Sequence, residues 1–88
     1  VVMENRTTET LAIRSDEIRK QNIKEVLTLV ETALQERGYN AVNQIAGYLI
    51  SSDPAYISSY HNARTVIQQV ERHEIIEELV RSYLENIQ

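Results

Sequence analysis

The chain contains no cysteine, so disulfide bridges, thiolate metal sites and cysteine nucleophiles are excluded. Tryptophan and phenylalanine are also absent, and five tyrosines are its only large aromatic side chains. A domain of 88 residues buries only about 60–65% of its unfolded surface, so its core is shallow. Small scaffolds without disulfides often gain burial by oligomerisation, and we therefore expect a homodimer.

An excess of basic charge and a long apolar run are missing too. Thirteen acidic residues against nine basic ones give a net charge of −4, whereas nucleic-acid binding usually needs a basic face. No apolar run approaches the roughly 20 residues of a transmembrane helix, and the N-terminal segment lacks the apolar centre of a signal peptide. Met3 fits a natural translation start. We expect a cytoplasmic protein that neither binds nucleic acid nor inserts into a membrane.

Turn-forming residues are concentrated in the middle of the chain, because residues 37–64 hold both glycines and the only proline. Before them, apolar residues at helical spacing over 23–34 predict a helix that ends near Gly38. Asn40 is a good N-cap for a second helix, and Asp53-Pro54 predicts the start of a short third one. The segment 38–40 is therefore expected to be the tight turn of a helical hairpin.

The segment after residue 62 carries two apolar stripes that point about 100° apart, the first around Val66 and Val70 and the second around Leu79. One straight helix cannot bury both stripes against one neighbour, so we predict a break near Arg72-His73. The predicted fold is mainly α: a compact bundle of about five short helices over residues 17–88.

The first sixteen residues are polar and threonine-rich and show no helical period, which predicts a flexible tail with a short extended piece at 11–13. A kinase threads a substrate segment through its active site, and Thr7, Thr8 and Thr10 lie in this uncommitted arm. All three are candidate phosphorylation sites. An inert polar terminus is the alternative.

No pattern in the chain points to catalysis, a cofactor or a metal. His61 and His73 are the only histidines, and neither has the spacing of a metal-ligand motif. No nucleophile elbow or glycine-rich phosphate loop is present. We expect no enzyme activity, and we expect His73 to be a partly buried structural side chain because it falls between the two apolar stripes.

Aromatic and apolar side chains supply candidate packing or interface positions. These are Tyr39, Tyr48, Tyr56, Tyr60, Leu79, Val80 and Tyr83. Arg64 and Arg72 are eight residues apart, so about two helical turns place them on one side as candidate phosphate or partner contacts. Ordinary surface salt bridging is the alternative for this pair.

A series of short motifs lies within residues 23–85. They are GYN at 38–40, NQI at 43–45, GY at 47–48, DPAY at 53–56, NAR at 62–64, ER at 71–72, EI at 74–75 and EELV at 77–80. This series closely resembles the IreB family (the ReoM-like proteins) of Gram-positive bacteria. The chain departs from the family pattern at four positions: Ala41 and Ser58 replace prolines, Ser52 replaces a glycine and His73 replaces an aspartate.

The resemblance implies a small homodimeric, mostly helical regulatory phosphoprotein with about five helices, a small β element and a mobile N-terminus. It implies phosphorylation by the membrane-anchored serine/threonine kinase that carries PASTA repeats outside the cell, with a matching phosphatase as a further partner. The family's tail motif puts the principal phosphothreonine at Thr10 and a second one at Thr7.

Family members tune peptidoglycan synthesis and resistance to cell-wall antibiotics. In some of them the route is Clp-dependent turnover of an enolpyruvyl transferase that commits precursors to the wall, so Clp protease components or an adaptor are candidate partners. A small helix-turn-helix DNA-binding regulator is the alternative function. The acidic balance argues against it, because neither short helix has a basic recognition face.

Overall fold

The computed structural model describes the backbone of residues 2–87 and the side chains of residues 15–87. Residues 2–87 form four α-helices, which are α1 (Val2–Glu36), α2 (Ala41–Ser51), α3 (Ala63–Ile67) and α4 (Arg72–Asn86). Two single 3-10 turns, Pro54–Tyr56 and Tyr60–Asn62, connect α2 to α3. The mainly helical fold is confirmed, whereas the expectation of about five helices and a β element is wrong, since residues 2–87 contain no strand.

Helix α1 is longer than its apolar stripe. Side chains 15–22 are all exposed, and burial begins at Ile23. No glycine or proline precedes Gly38, so no helix-breaking residue interrupts the backbone before that point. The extended piece expected at 11–13 is therefore wrong, because those residues are helical. The mobility of the tail and its boundary at residue 16 stay predictions.

The end of α1 follows its local sequence. Gly38 adopts φ 77°, the left-handed conformation that glycine enters without a side-chain clash. Its N–H donates to the Gln35 carbonyl at 2.9 Å, and the Tyr39 N–H donates to the Leu34 carbonyl at 2.9 Å. This pair of bonds is the Schellman motif, which satisfies carbonyls that the helix leaves free. The predicted helix end at Gly38 is confirmed.

Two side chains start the next elements as predicted. Asn40 Oδ1 accepts a hydrogen bond from the Asn43 N–H at 3.0 Å and caps α2. Asp53 Oδ1 accepts from the Ala55 N–H at 2.9 Å, with Pro54 at the first position of the following 3-10 turn. Both caps begin elements that are too short to be stable by themselves.

One hydrophobic core lies between α1 and the elements that follow it. Its buried members are Ile23, Val26, Val30, Ala33, Leu34, Tyr48, Ile57, Ala63, Ile67, Val70 and Ile75. Helix α1 packs most extensively against α3. Because α3 is a helix of only five residues, the core depends on the apolar stripe of α1 as its continuous side.

The predicted break between α3 and α4 is confirmed and lies at residues 68–71. Glu71 is extended, with φ −69° and ψ 138°, and its carbonyl accepts from Glu74 and Ile75 to start α4. The break lets Ile67, Val70 and Ile75 enter the same core. The apolar residues further along α4 do not follow them into that core.

A left-handed serine ends α2 and yields a prediction. Ser52 has φ 66° and donates its N–H to the Tyr48 carbonyl at 2.9 Å. Left-handed backbone costs a residue with a Cβ about 1–2 kcal/mol. Ser52→Gly is therefore expected to raise the free energy of unfolding by about 1 kcal/mol in chemical denaturation.

The matched control is Ser59→Gly, since Ser59 is exposed and has right-handed backbone with φ −82°. This change is expected to lower stability, because glycine gains flexibility in the unfolded chain without relieving strain in the folded one. Equal effects of the two substitutions would contradict the assignment of strain to Ser52.

Candidate functional site

The tyrosines occupy different environments. Tyr48 is buried in the core, whereas Tyr39, Tyr56 and Tyr83 are exposed. The Tyr56 ring lies against the backbone of Gly47, where an added Cβ would come within 2.6 Å of Tyr56 Cδ1. The second glycine thus permits close packing between α2 and the first 3-10 turn.

Tyr60 belongs to a polar cluster that joins the end of α1 to the turn before α3. Its hydroxyl donates to Glu36 Oε1 at 3.1 Å, and His61 Nε2 lies 3.5 Å from Glu36 Oε2. The Arg37 guanidinium lies 4.9 Å from the centroid of the Tyr60 ring. Burial and the hydrogen bond to Glu36 raise the pKa of Tyr60, and Arg37 partly opposes this shift.

Arg64 and Arg72 both bind backbone carbonyls. Arg64 Nε donates to the Ile57 carbonyl at 2.8 Å, and Arg72 Nη1 donates to the Leu49 carbonyl at 2.8 Å. The Arg64 bond fixes the residue after the first 3-10 turn, and the Arg72 bond fixes the last turn of α2. Each arginine therefore has a structural role in addition to the phosphate or partner contact expected for it, which stays a prediction.

Six exposed apolar side chains lie along α4 and on the residue that follows it. We call this surface the α4 apolar face, and it consists of Ile76, Leu79, Val80, Tyr83, Leu84 and Ile87. These six residues are between 38% and 69% exposed. A contiguous apolar helix face of this kind is normally covered by another helix or another protein. Three of the sequence candidates, Leu79, Val80 and Tyr83, lie on this face.

A groove runs beside this face, between α1 and α4. It has a volume of about 590 Å³, and its apolar floor contains Ile23, Leu27, Ile45 and Leu79. Lys20 and Lys24 line it together with acidic side chains that include Glu78. The groove joins the α4 apolar face to the outer side of the core.

On their charged side, α1 and α4 are linked by a weak, partly exposed ion pair. Arg19 Nε lies 3.6 Å from Glu74 Oε1, and this ion pair links α1 to α4. His73 stands at the rim of this region and is exposed, so the expectation of a partly buried histidine is wrong. The break turns α4 so that Ile75, and not His73, points into the core.

The candidate phosphothreonines, Thr7 and Thr10, lie outside the residues whose side chains are described, although their backbone belongs to α1. Sequence reasoning missed Glu36 and Gln44 as organising side chains. Gln44 Oε1 accepts from the Ser58 N–H at 2.9 Å, a contact across fourteen residues. The position of Gln44 in the NQI motif was a signal in the sequence that this side chain has a structural role. No pattern in the sequence indicated such a role for Glu36.

Comparison with known proteins identifies the family. The family described as "IreB regulatory phosphoprotein" matches residues 8–85, which include the candidate site at Thr10 and the α4 apolar face as far as Leu84. The chain belongs to the IreB family. This IreB-family chain is also 45% identical over 78 residues to a UPF0297 protein of Ruminiclostridium cellulolyticum, and the match covers 89% of each chain.

The family supports a regulatory role for this IreB-family chain. Within residues 2–87, no helix is both long and apolar enough to cross a membrane. No described helix favours the helix-turn-helix alternative, since α2 has no charged residue and Arg64, the basic residue of α3, binds a carbonyl.

The bond from Arg72 to Leu49 leads to a prediction about its role. Arg72→Met keeps an unbranched side chain but leaves a partly buried carbonyl without its donor. We expect a loss of about 1–3 kcal/mol in the free energy of unfolding, measured by chemical denaturation.

Arg81→Met is the matched control, because Arg81 pairs only with Glu78 on the exposed surface of the same helix. That change is expected to cost less than about 1 kcal/mol. If Arg72→Met were as mild as Arg81→Met, Arg72 would not hold the end of α2.

Proposed function

We propose that this IreB-family chain is a non-enzymatic regulatory phosphoprotein that works through protein–protein contacts in the cytoplasm. The observation that carries the proposal is the α4 apolar face, which consists of six exposed side chains. The family to which the chain belongs is regulatory. A surface of this kind favours binding over catalysis, because it offers apolar contact area rather than converging polar groups.

The first contact is with a second copy of the chain. The core is supported by one long and three short helices, so much of the apolar surface of α4 is left for another molecule to bury. In a two-fold dimer the same patch serves both partners, which doubles the burial obtained from one face. We place Leu79, Val80 and Tyr83 in this interface, with the α1–α4 groove beside it.

The second contact is with a serine/threonine kinase of the PASTA type, opposed by a matching phosphatase. The proposal rests on the family and on the Thr7-Thr8-Glu9-Thr10-Leu11 motif in its tail. Helical backbone does not fit an extended substrate channel, so the first turns of α1 must open for phosphorylation at Thr10. Opening there leaves the described core in place, because among the side chains of residues 15–87 burial begins only at Ile23.

The output proposed is control of peptidoglycan synthesis and of resistance to cell-wall antibiotics. In this scheme the chain influences Clp-dependent turnover of a wall-precursor enzyme, through Clp components or an adaptor. A phosphate at Thr10 adds about −1.5 to −2 charges to α1 and changes the surface that a partner meets. Arg64 and Arg72 are candidate contacts for that phosphate with the donors that their carbonyl bonds leave free.

The dimer interface can be tested with Tyr83→Glu. This side chain is 69% exposed in the single chain, so its replacement should leave the fold intact. Burying a new carboxylate in an apolar interface is costly, and we expect the mass measured by light scattering at micromolar concentration to fall from twice 10.2 kDa toward 10.2 kDa.

Thr65→Glu is the control, since it adds the same charge at an exposed position of α3. It is expected to leave the dimer unchanged. A wild-type mass of 10.2 kDa at these concentrations would contradict the dimer itself.

The switch can be tested with Thr10→Ala in phosphorylation by the cognate kinase, followed by peptide mapping. We expect loss of most of the incorporated phosphate, a smaller loss for Thr7→Ala and no loss for Thr8→Ala. Thermal stability should not fall, because alanine has a higher helix propensity than threonine. The difference is less than about 0.7 kcal/mol. Undiminished labelling of Thr10→Ala, or label in the folded body, would refute the assignment.

A further inference from the structure

Helix α2 is apolar on its outer side as well as on the side that packs against the core. Val42 and Ile50 are 79% and 85% exposed, and Ala46, midway between them, is exposed too. Residues four apart lie on the same side of a helix, so these three form one row, which we call the α2 stripe. A helix that is apolar on both sides is normally covered on both, and the single chain covers only one side of α2.

The α2 stripe belongs to a helix without charge. Helix α2 contains no aspartate, glutamate, lysine or arginine, whereas the other three helices in residues 2–87 all carry ionisable side chains. A charged group placed against the stripe would lose its hydration without gaining an ion pair. The stripe therefore fits a surface that is itself apolar and uncharged.

The α2 stripe and the α4 apolar face lie side by side. Arg72 Nη1 donates to the Leu49 carbonyl at 2.8 Å, so α4 begins beside the last turn of α2. Ile45 of α2 and Leu79 of α4 line the same groove. At about 100° per residue, Ile45 lies only about 60° from Val42 around α2, so the groove leads from the α4 apolar face to the α2 stripe.

Small side chains keep the middle of the α2 stripe low. Gly47 follows Ala46, and the Tyr56 ring packs against it while remaining 54% exposed. Two helices can approach closely where the side chains at their contact are small. A half-exposed tyrosine beside such a contact is typical of the edge of a protein interface.

The size of the α4 apolar face indicates that a dimer needs more than this face. A standard interface takes about 20–30 residues and about 800 Å² of surface from each partner. The α4 apolar face supplies six residues, each between 38% and 69% exposed. The α2 stripe is the neighbouring surface that extends it.

We propose that the α2 stripe lies on the two-fold axis of the dimer and packs against the α2 stripe of a second copy, with the α4 apolar faces on either side. This inference rests on the dimer of the proposed function. It assigns Val42, Ala46 and Ile50 to the centre of the interface.

Charge decides which helix lies on the axis. In a two-fold interface the residues nearest the axis meet their own copies, so a charge there meets a like charge. Helix α4 carries four acidic residues and two arginines, and the whole chain has a net charge of −4. Two copies of α4 on the axis would repel each other, whereas two copies of the uncharged α2 would not.

Single cysteines can locate the axis, because the chain has none of its own. Ala46→Cys is expected to form a disulfide between two copies under mild oxidation, so that most of the protein migrates at twice 10.2 kDa on a non-reducing gel. Only residues near the axis bring their own Cα atoms within the about 4.4–6.8 Å that a disulfide spans.

Two further cysteines are the controls. Val80→Cys lies on the α4 apolar face, away from the axis, and Thr65→Cys is exposed on α3. Both are expected to migrate at 10.2 kDa after the same oxidation.

Opposite charges at Ala46 give an independent test. Ala46→Glu and Ala46→Lys each place like charges against each other, and we expect the mass from light scattering at micromolar concentration to fall toward 10.2 kDa. An equimolar mixture pairs glutamate with lysine, and its mass should return toward twice 10.2 kDa. Circular dichroism should show unchanged helix content, because Ala46 is exposed in the single chain.

The outcomes separate the position of the axis from the dimer itself. A dimeric wild type with no linkage in Ala46→Cys, or with linkage in Val80→Cys instead, would leave the dimer standing and overturn the inference. Recovery that fails in the mixture of Ala46→Glu and Ala46→Lys would overturn it as well. A wild-type mass of 10.2 kDa would overturn both the dimer and this inference, and would assign the α2 stripe to a different protein.

Discussion

Burial of one stripe on α1 is the constraint on which the rest of the structure depends. Ile23, Val26, Val30, Ala33 and Leu34 form a continuous apolar side that no other helix of the chain can supply. Helix α3 has five residues and α2 has eleven, which are lengths that are unstable in isolation. They persist because they pack against a helix that is already long enough to organise them.

Hydrogen bonds from side chains to the backbone stabilise the short elements, which form few backbone hydrogen bonds of their own. Asn40, Asp53, Gln44, Arg64 and Arg72 each satisfy a backbone group at an end or junction of a short element. In a chain of this size, an unpaired backbone group would cost a large share of the total stability. This explains why polar residues in the middle third of the sequence matter for the fold although few of them lie in the core.

The sequence predicts those features whose cause lies within a few residues of their effect. Gly38 and Asn40 act within one turn of the chain, and the helix break follows from the directions of nearby apolar residues. Contacts of Glu36 with Tyr60, and of Arg72 with Leu49, join residues 24 and 23 positions apart and leave no local pattern. The length of α1 was missed for a different reason: lack of a glycine or proline is a weak signal beside a polar, threonine-rich composition. The exposure of His73 depends on the angle of α4, which spacing alone does not determine.

The four-residue break before α4 has a mechanical consequence. Helix α4 is fifteen residues long, so it extends about 22 Å from Glu71 at a rise of about 1.5 Å per residue. A rotation of about 10° at that single extended residue would move the far end by about 4 Å, while Ile75 near the start of α4 would hardly shift. Arg72 is the first residue beyond this pivot, and its bond to Leu49 restrains the rotation. A small change in the backbone at Glu71 therefore changes the angle of α4 and the position of Tyr83.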